Sequence, residues 1–443
     1  MHALRPLRAG RPSGSCRTPA RTLRGRYLPV TCSVTTPHSG YHFDGTPRRF
    51  FEGWYWKVMM PESGQSFALI YSIEDPLGNT PQTGIGLQVM GPNDGYICQF
   101  TSDVSSFWAD PHHPALGATF KTSNTARVAP KDILPQDQFL RDVEHGFQAT
   151  DVMHVGRMVA LETGAAGPPM STVPTASWAL TIKPKAGWGP TQAATQKATA
   201  GWLSVLPIFE PHWQVLMAHG EASGWLQWGG QRYQFSGAPA YAEKNWGGGF
   251  PSKWHWIQCN SFDGQPGLSV TAVGARRALL LGLQGVEEDV GLIGVHLPGG
   301  EFVEMVPWNS ELEWDVDPWG RWWLRAVNER FEALVEATCA PGAGAVLRAP
   351  TASMGLAPFC KDTFAGRCRL RLWRRVGGAK QGGPALVDAT STTAALEVGG
   401  GPWWSSWRAR AEMKEPFRSL IRLPLDVAGL GKLVPEPLRP PGL

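Results

Sequence analysis

No stretch of this 443-residue chain approaches the run of about 18 apolar residues that a membrane-spanning helix requires. The apolar segment ALLLGL at 278–283 is only strand length. Any association with a membrane is therefore expected to be peripheral. No C-x-x-C pair occurs among the seven cysteines. Cys16 and Cys32 lie in the N-terminal stretch, and the five others are odd in number and scattered, which argues against a disulfide framework or a zinc site. His112-His113 falls in the proline-bounded loop DPHHP and is not expected to bind metal. Also lacking are H-E-x-x-H, the G-x-S-x-G elbow, a Walker loop and a G-x-G-x-x-G after a strand. The glycine run in NWGGGF lacks the Lys-Ser/Thr that would make it a phosphate cradle. No metal and no cofactor is expected.

Acidic residues are missing from the first 43 positions, which hold seven arginines: Arg5, Arg8, Arg11, Arg17, Arg21, Arg24 and Arg26. With serine, threonine and small residues between them, and no apolar core, this is the composition of an organelle transit peptide, placed at 1–35. VTCSV around Cys32 is a plausible processing site. Without those arginines 34 basic residues face 37 acidic ones, so the net charge of +4 becomes −3 and nucleic acid is not an expected partner.

What the chain has in abundance is glycine (52), proline (38) and tryptophan (21). The first two favour many turns and short strands over long helices. WLQWGGQRYQF (225–235) reads as a hairpin turning at Gly229-Gly230, and GVHLPGGEFVEMVPW (294–308) repeats the arrangement at Gly299-Gly300. QCNSFDGQPGLSVTAV (258–273) turns near Asp263-Gly264. In CRLRLWRRV, Cys368, Leu370 and Leu372 share one strand face, with Arg369 and Arg371 on the other. RWWLRAVNERFEALVEA (321–337) would pass for a helix but is read as a second hairpin. Loops are expected at 109–138, 163–176, 184–201, 340–358 and 377–385, and a short amphipathic helix near 408–421. FFEGWYWKVMMPESGQSFALIYS (50–72) and PSKWHWIQCNSFDGQPGLSVTAV (251–273) share a W-x-W strand, a polar turn and a second apolar strand. The chain is therefore expected to be mostly β, with two tandem lipocalin-like barrel or sandwich domains at 36–247 and 248–443. Such sheets can close around an apolar ligand.

The chemistry is expected from carboxyl groups set among aromatic faces. Glu52 in FFEGWYW, Glu74-Asp75 in YSIEDP and Glu243 in EKNWGGGFPSKWHW are embedded in apolar sequence. An apolar wall raises a carboxyl pKa and lets the group stay protonated near neutrality, fit for general acid catalysis. Indole and phenol faces can stabilise a nearby cation by about 0.5–2 kcal/mol each. Together they suit protonation of an alkene and shelter of the resulting carbocation. A structural Glu243–Lys244 ion pair at a domain junction, with the tryptophans as core, explains the same spacing without chemistry.

TPHSGYHFDGTPRRFFEGWYWKV (36–58), AGWGPTQAATQKATAGWLSVLPIFEPHWQVLMAHGEASGWLQWGG, AYAEKNWGGGFPSKWHWIQCN, VPWNSELEWDVDPWGRWW and the terminal PLRPPGL resemble the tocopherol cyclase family from about residue 36 to the C-terminus. The resemblance implies a methylated phytyl-benzoquinol substrate, protonation of the double bond nearest the ring, and attack of a phenolic oxygen on the tertiary carbon. It also implies a chloroplast protein on plastoglobules. The family is distantly similar to carotenoid hydratases, whose acid–His–Asn–Trp–Gly segment corresponds to Glu243-Lys244-Asn245-Trp246-Gly247, with lysine in place of histidine. Glu243 is expected as proton donor, with Lys244 and Asn245 fixing its protonation or gripping the quinol oxygens. Trp246, Trp54, Tyr55 and Trp254 are expected as the cation-tolerant wall, Glu52 as reserve acid and His255 as a base on the quinol hydroxyl. The site is expected in the first domain's cavity, at its junction with the second. A non-enzymatic prenyl-lipid carrier and an isoprenoid hydratase remain alternatives.

Overall fold

The computed structural model describes residues 34–443 apart from 79, 125, 127, 206–209, 279–286, 382, 402–404, 424–433, 435–440 and 443. The transit-peptide expectation thus falls, but for its last two residues, outside the described residues, as does ALLLGL beyond Ala278.

Alternating burial along the chain builds two large antiparallel sheets. In the first, Phe51–Met60 pairs on one side with Gln65–Glu74, followed outward by Gly84–Gly91 and Gly95–Thr101. On its other side lies Gln231–Gly247, then His212–Trp228, Thr175–Ala186, Met153–Val159, Val143–Thr150, Ala115–Thr122 and Trp108–Ala109. The second sheet repeats this plan. Lys253–Cys259 pairs with Ser269–Ala278 on one side and with Val387–Gly399, a late strand, on the other. Beyond Val387–Gly399 come Gly355–Val376, Phe331–Thr338, Arg321–Val327, Glu311–Val316 and Trp407–Ala411. The two W-x-W segments are thus the pivotal strands of the two sheets. The chain leaves the first sheet at Gly247 and enters the second at Lys253.

Both sheets curl. Tyr71 stacks on Phe147 at 4.3 Å between ring centroids and meets His154 Nδ1 at 3.1 Å, although four strands separate Gln65–Glu74 from Met153–Val159 in the sheet order. Each curl encloses its own core: Trp54, Trp56, Tyr71, Phe147 and Trp178 in the first, Trp314, Trp322, Leu324, Leu370 and Leu396 in the second. A third apolar layer, with Tyr241, Trp254, Trp256, Leu347 and Phe364, lies between the sheets. Burying each such side chain contributes about 1.5–3 kcal/mol. The inside of the first curl is therefore packed with side chains, and room for a ligand is found at the junction.

The hairpin at 225–235 turns at Gly229, whose φ of 56° a glycine adopts without strain. The 321–337 segment is a hairpin of Arg321–Val327 and Phe331–Thr338. Some expected loops carry strands instead: Ala115–Thr122 within 109–138, and Ala345–Thr351 within 340–358. The helix expected over 408–421 shrinks to Phe417–Ile421, because Trp407–Ala411 pairs with Glu311–Val316. Alternate small and large residues in WRARA satisfy a sheet edge as readily as a helix face.

Candidate active site

Strand alternation splits the EKNW run. Glu243 lies directly opposite Tyr55, and Asn245 opposite Gly53, so these four share the face turned toward the second sheet. Lys244 lies opposite Trp54, and Trp246 opposite Glu52, on the other face. Neighbours in sequence thus serve two separate environments.

On the inter-sheet face, Glu243, Asn245, Gly53, Tyr55, Ile70, Ser72 and Gln88 of the first sheet and Phe250, Trp256, Leu347, Arg348, Leu356, Cys360 and Glu397 beyond it enclose a cavity of about 70 Å³. A single water needs roughly 10–15 Å³ on this measure, so the space admits the reacting segment of a ligand while a long tail must continue outside it. Glu243 accepts a 2.6 Å hydrogen bond from the Tyr241 hydroxyl. Burial pushes its pKa up to about 7, against the pull of Tyr241 and of the Trp213 and Trp256 indoles. Across the cavity, Glu397 accepts from Trp254 Nε1, and burial together with the nearby Glu243 raises it to about 7 as well. Asp362, paired with Glu397 across adjacent strands, is wholly buried and held well above the usual carboxylate range by burial and by Glu397. Tyr55 reaches across the junction, its hydroxyl 3.5 Å from Asp362 Oδ2 and its ring edge-on to Trp256 at 5.5 Å. Gly53 leaves the wall beside Asn245 open, since a Cβ there would meet only Tyr71 O at 3.7 Å. A Gly53→Val enzyme is expected to keep its melting temperature while KM for the ligand rises about tenfold, the scale on which one misplaced methyl group is felt in a snug pocket.

The opposite face holds a different structure. Lys244 forms a buried ion pair with Glu52, donates to Gly40 O at 2.6 Å, and has the Trp54 and Trp246 rings each at 5.4 Å. Glu52 also takes the His42 backbone N–H at 2.8 Å, and its pKa is raised by burial against the pull of Lys244. Trp246 is stacked between His42 (3.9 Å) and His212 (5.0 Å). Trp54 packs on Tyr41 and Phe107. Lys244, Trp246 and Glu52 therefore pin the 38–44 segment to the sheet; Trp54 borders the cavity, while its indole packs into the first core. Lys244 cannot set the protonation of Glu243 by contact, because the sheet separates their side chains. Trp254 acts through its N–H on Glu397. His255 points into the second curl, edge-on to Trp314 and Trp407, and burial drives its pKa down to about 3. It has no path to a ligand in the cavity. Glu74 and Asp75 are taken up by Arg49, which also donates to Thr351 O of the second sheet at 2.9 Å.

Sequence reasoning passed over Glu397 and Asp362. Glu397 is a single acid among apolar neighbours in AALEVG, the same signal that singled out Glu52, whereas Asp362 stands between Lys361 and Thr363 in FCKDTF and carries no such signal.

Two curled antiparallel sheets with carboxyls raised toward neutrality at an aromatic junction define an all-β protein whose site is fit for proton chemistry. Residues 48–400 match the family described as tocopherol cyclase-like. The chain is 44% identical over 430 residues to "Tocopherol cyclase, chloroplastic" of Zea mays, covering 94% of this chain and 88% of that one. It is 43% identical over 426 residues to "Probable tocopherol cyclase, chloroplastic" of Oryza sativa subsp. japonica, covering 93% and 88%. Among solved structures, that of CghA with Sch210972 aligns with 80% of this chain and 89% of its own at 10% identity and a TM-score of 0.42. The chain belongs to the tocopherol cyclase family.

Proposed function

We propose that this enzyme closes the chromanol ring of methylated phytyl-1,4-benzoquinols, giving tocopherols, with Glu243 as the proton donor. The supporting observation is a carboxyl with a pKa of about 7 facing a cavity walled by Tyr55, Trp256, Phe250 and Ile70. Its proton passes to the less substituted alkene carbon, leaving positive charge on the tertiary carbon. The Tyr55 and Trp256 faces stabilise that charge by an amount of order 0.5–2 kcal/mol each. Asn245 and Ser72 offer hydrogen bonds to the quinol oxygens and hold one beside the tertiary carbon, so closure outruns capture by water. On this reading the chain is two β domains, 36–247 and 248–443, whose junction is the site. The acid-free, arginine-rich leader supports import into the chloroplast, where the enzyme would work peripherally at lipid bodies such as plastoglobules.

Incubation of the purified enzyme with a dimethyl-phytylbenzoquinol is expected to yield a chromanol of unchanged mass. A product heavier by one water would make it a hydratase, and bound but unaltered quinol a carrier. The donor must be protonated, and a raised carboxyl pKa keeps it so below about 7. The turnover rate is accordingly expected to fall about tenfold per pH unit above that point, read from initial rates between pH 6 and 9.

A further inference from the structure

Ring closure places a proton and an oxygen across one double bond, and the oxygen must shed its own proton. The cavity holds one carboxyl on each wall, Glu243 from the first sheet and Glu397 from the second. A proton delivered from the first wall leaves the lobe of the developing cation that faces the second sheet open to attack. The oxygen, and the group that relieves it of its proton, belong on that side.

We propose, resting on the cyclase reading above, that Glu397 is the second catalytic residue: it accepts the phenolic proton as the oxygen attacks, while Glu243 supplies the proton to carbon. The O–H bond of Glu243 breaks as the new C–H bond forms from the alkene electron pair. The phenolic oxygen then forms the C–O bond, and its O–H bond breaks with the proton passing to the Glu397 carboxylate. One carboxyl ends ionised and the other protonated, and exchange with water on product release restores the start. No oxidant or reductant enters.

The surroundings fit Glu397 for acceptance. Its nearest polar partner is a neutral indole N–H from Trp254, which fixes the carboxylate without neutralising it. Asp362, its cross-strand partner, is fully buried, and its Oδ1 has no hydrogen-bond partner. Two carboxyls side by side in a dry setting do not both ionise. Asp362 is raised the further of the two above the ordinary carboxylate range, by burial first and then by Glu397, so it holds the pair's proton more readily than Glu397 does.

A quinol whose attacking hydroxyl is methylated separates the two steps, because it can be protonated at carbon but cannot close. In D2O the wild-type enzyme is expected to exchange deuterium into this methyl ether reversibly. Glu397→Gln is expected to exchange at the wild-type rate while closing the free quinol about 100-fold more slowly, the scale of a lost general base. Glu243→Gln is expected to lose both. Glu397→Asp, which keeps the charge in place should the glutamine variant fold poorly, is expected to slow closure about tenfold with exchange intact, a partial loss of the same base. Wild-type closure by Glu397→Gln or by Glu397→Asp would overturn the assignment, as would loss of exchange in either folded variant. Failure of the wild-type enzyme to close the free quinol would instead overturn the cyclase reading itself.

Discussion

An enzyme carrying Glu243→Gln is expected to bind the quinol and convert it about 1000-fold more slowly, within the range by which general acids accelerate reactions. Glutamine matches the shape of the acid and can still accept the Tyr241 hydroxyl, so the cavity should survive while the transferable proton is lost. The same variant carries a second expectation in stability. Below about pH 4.5, the ordinary value, the Glu243 carboxyl is protonated in the folded and unfolded chain alike, and it contributes no pH dependence. Between there and about 7 the folded state holds the proton more tightly, so stability falls as pH rises. Above about 7 the folded protein carries a buried charge at full penalty. Glutamine has no such penalty, so thermal unfolding should show the variant above the parent at pH 8 and level with it near pH 4. A dead enzyme that melts higher is the signature of a group strained for function. An active Glu243→Gln enzyme would move the donor's role to another carboxyl of the cavity.

How much of this was legible in the residues differs by level. Strand content followed from glycine, proline and alternation, and the GG turn located the hairpin at 225–235. The kinship of Phe51–Met60 and Lys253–Cys259 was visible in W-x-W and became a shared sheet plan. The site was harder, for a reason built into strands. Reading EKNW as one cluster ignores that side chains two apart share a face and adjacent ones do not. Glu243 and Asn245 therefore face the junction, while Lys244 and Trp246 complete an ion pair behind it. Glu397 and Asp362 come from strands more than 100 residues further on, so only the fold brings them to Glu243. His255, expected as a base on the quinol hydroxyl, is sent into the opposite core by the same alternation.

That ion pair makes the second large effect. Lys244 and Glu52 are both fully buried, and each is the other's charge partner. Replacing Lys244 alone with methionine strands a carboxylate in the first sheet's core, where burial, the largest cause of His42's lowered pKa, still opposes a charge on that neighbouring imidazole. Breaking a buried pair from one side costs about 3–5 kcal/mol, enough to lower the melting temperature by many degrees. The loss is expected to be fast-unfolding and local at first, since Gly40 and the 38–44 segment are tied down through the same two side chains. Replacing both, Lys244→Met with Glu52→Gln, removes the stranded charge and the desolvation cost together. The double variant is expected to recover most of the stability, as buried pairs exchanged for uncharged groups commonly do. Denaturant titration of the two single variants and the double closes the cycle, and the coupling should exceed about 2 kcal/mol. Because this pair lies behind the sheet from the cavity, the double variant should also retain most of its closure rate. A double variant that folds as well as the parent yet closes no ring would place Lys244 or Glu52 in the chemistry and return the proton donor to that face of the sheet.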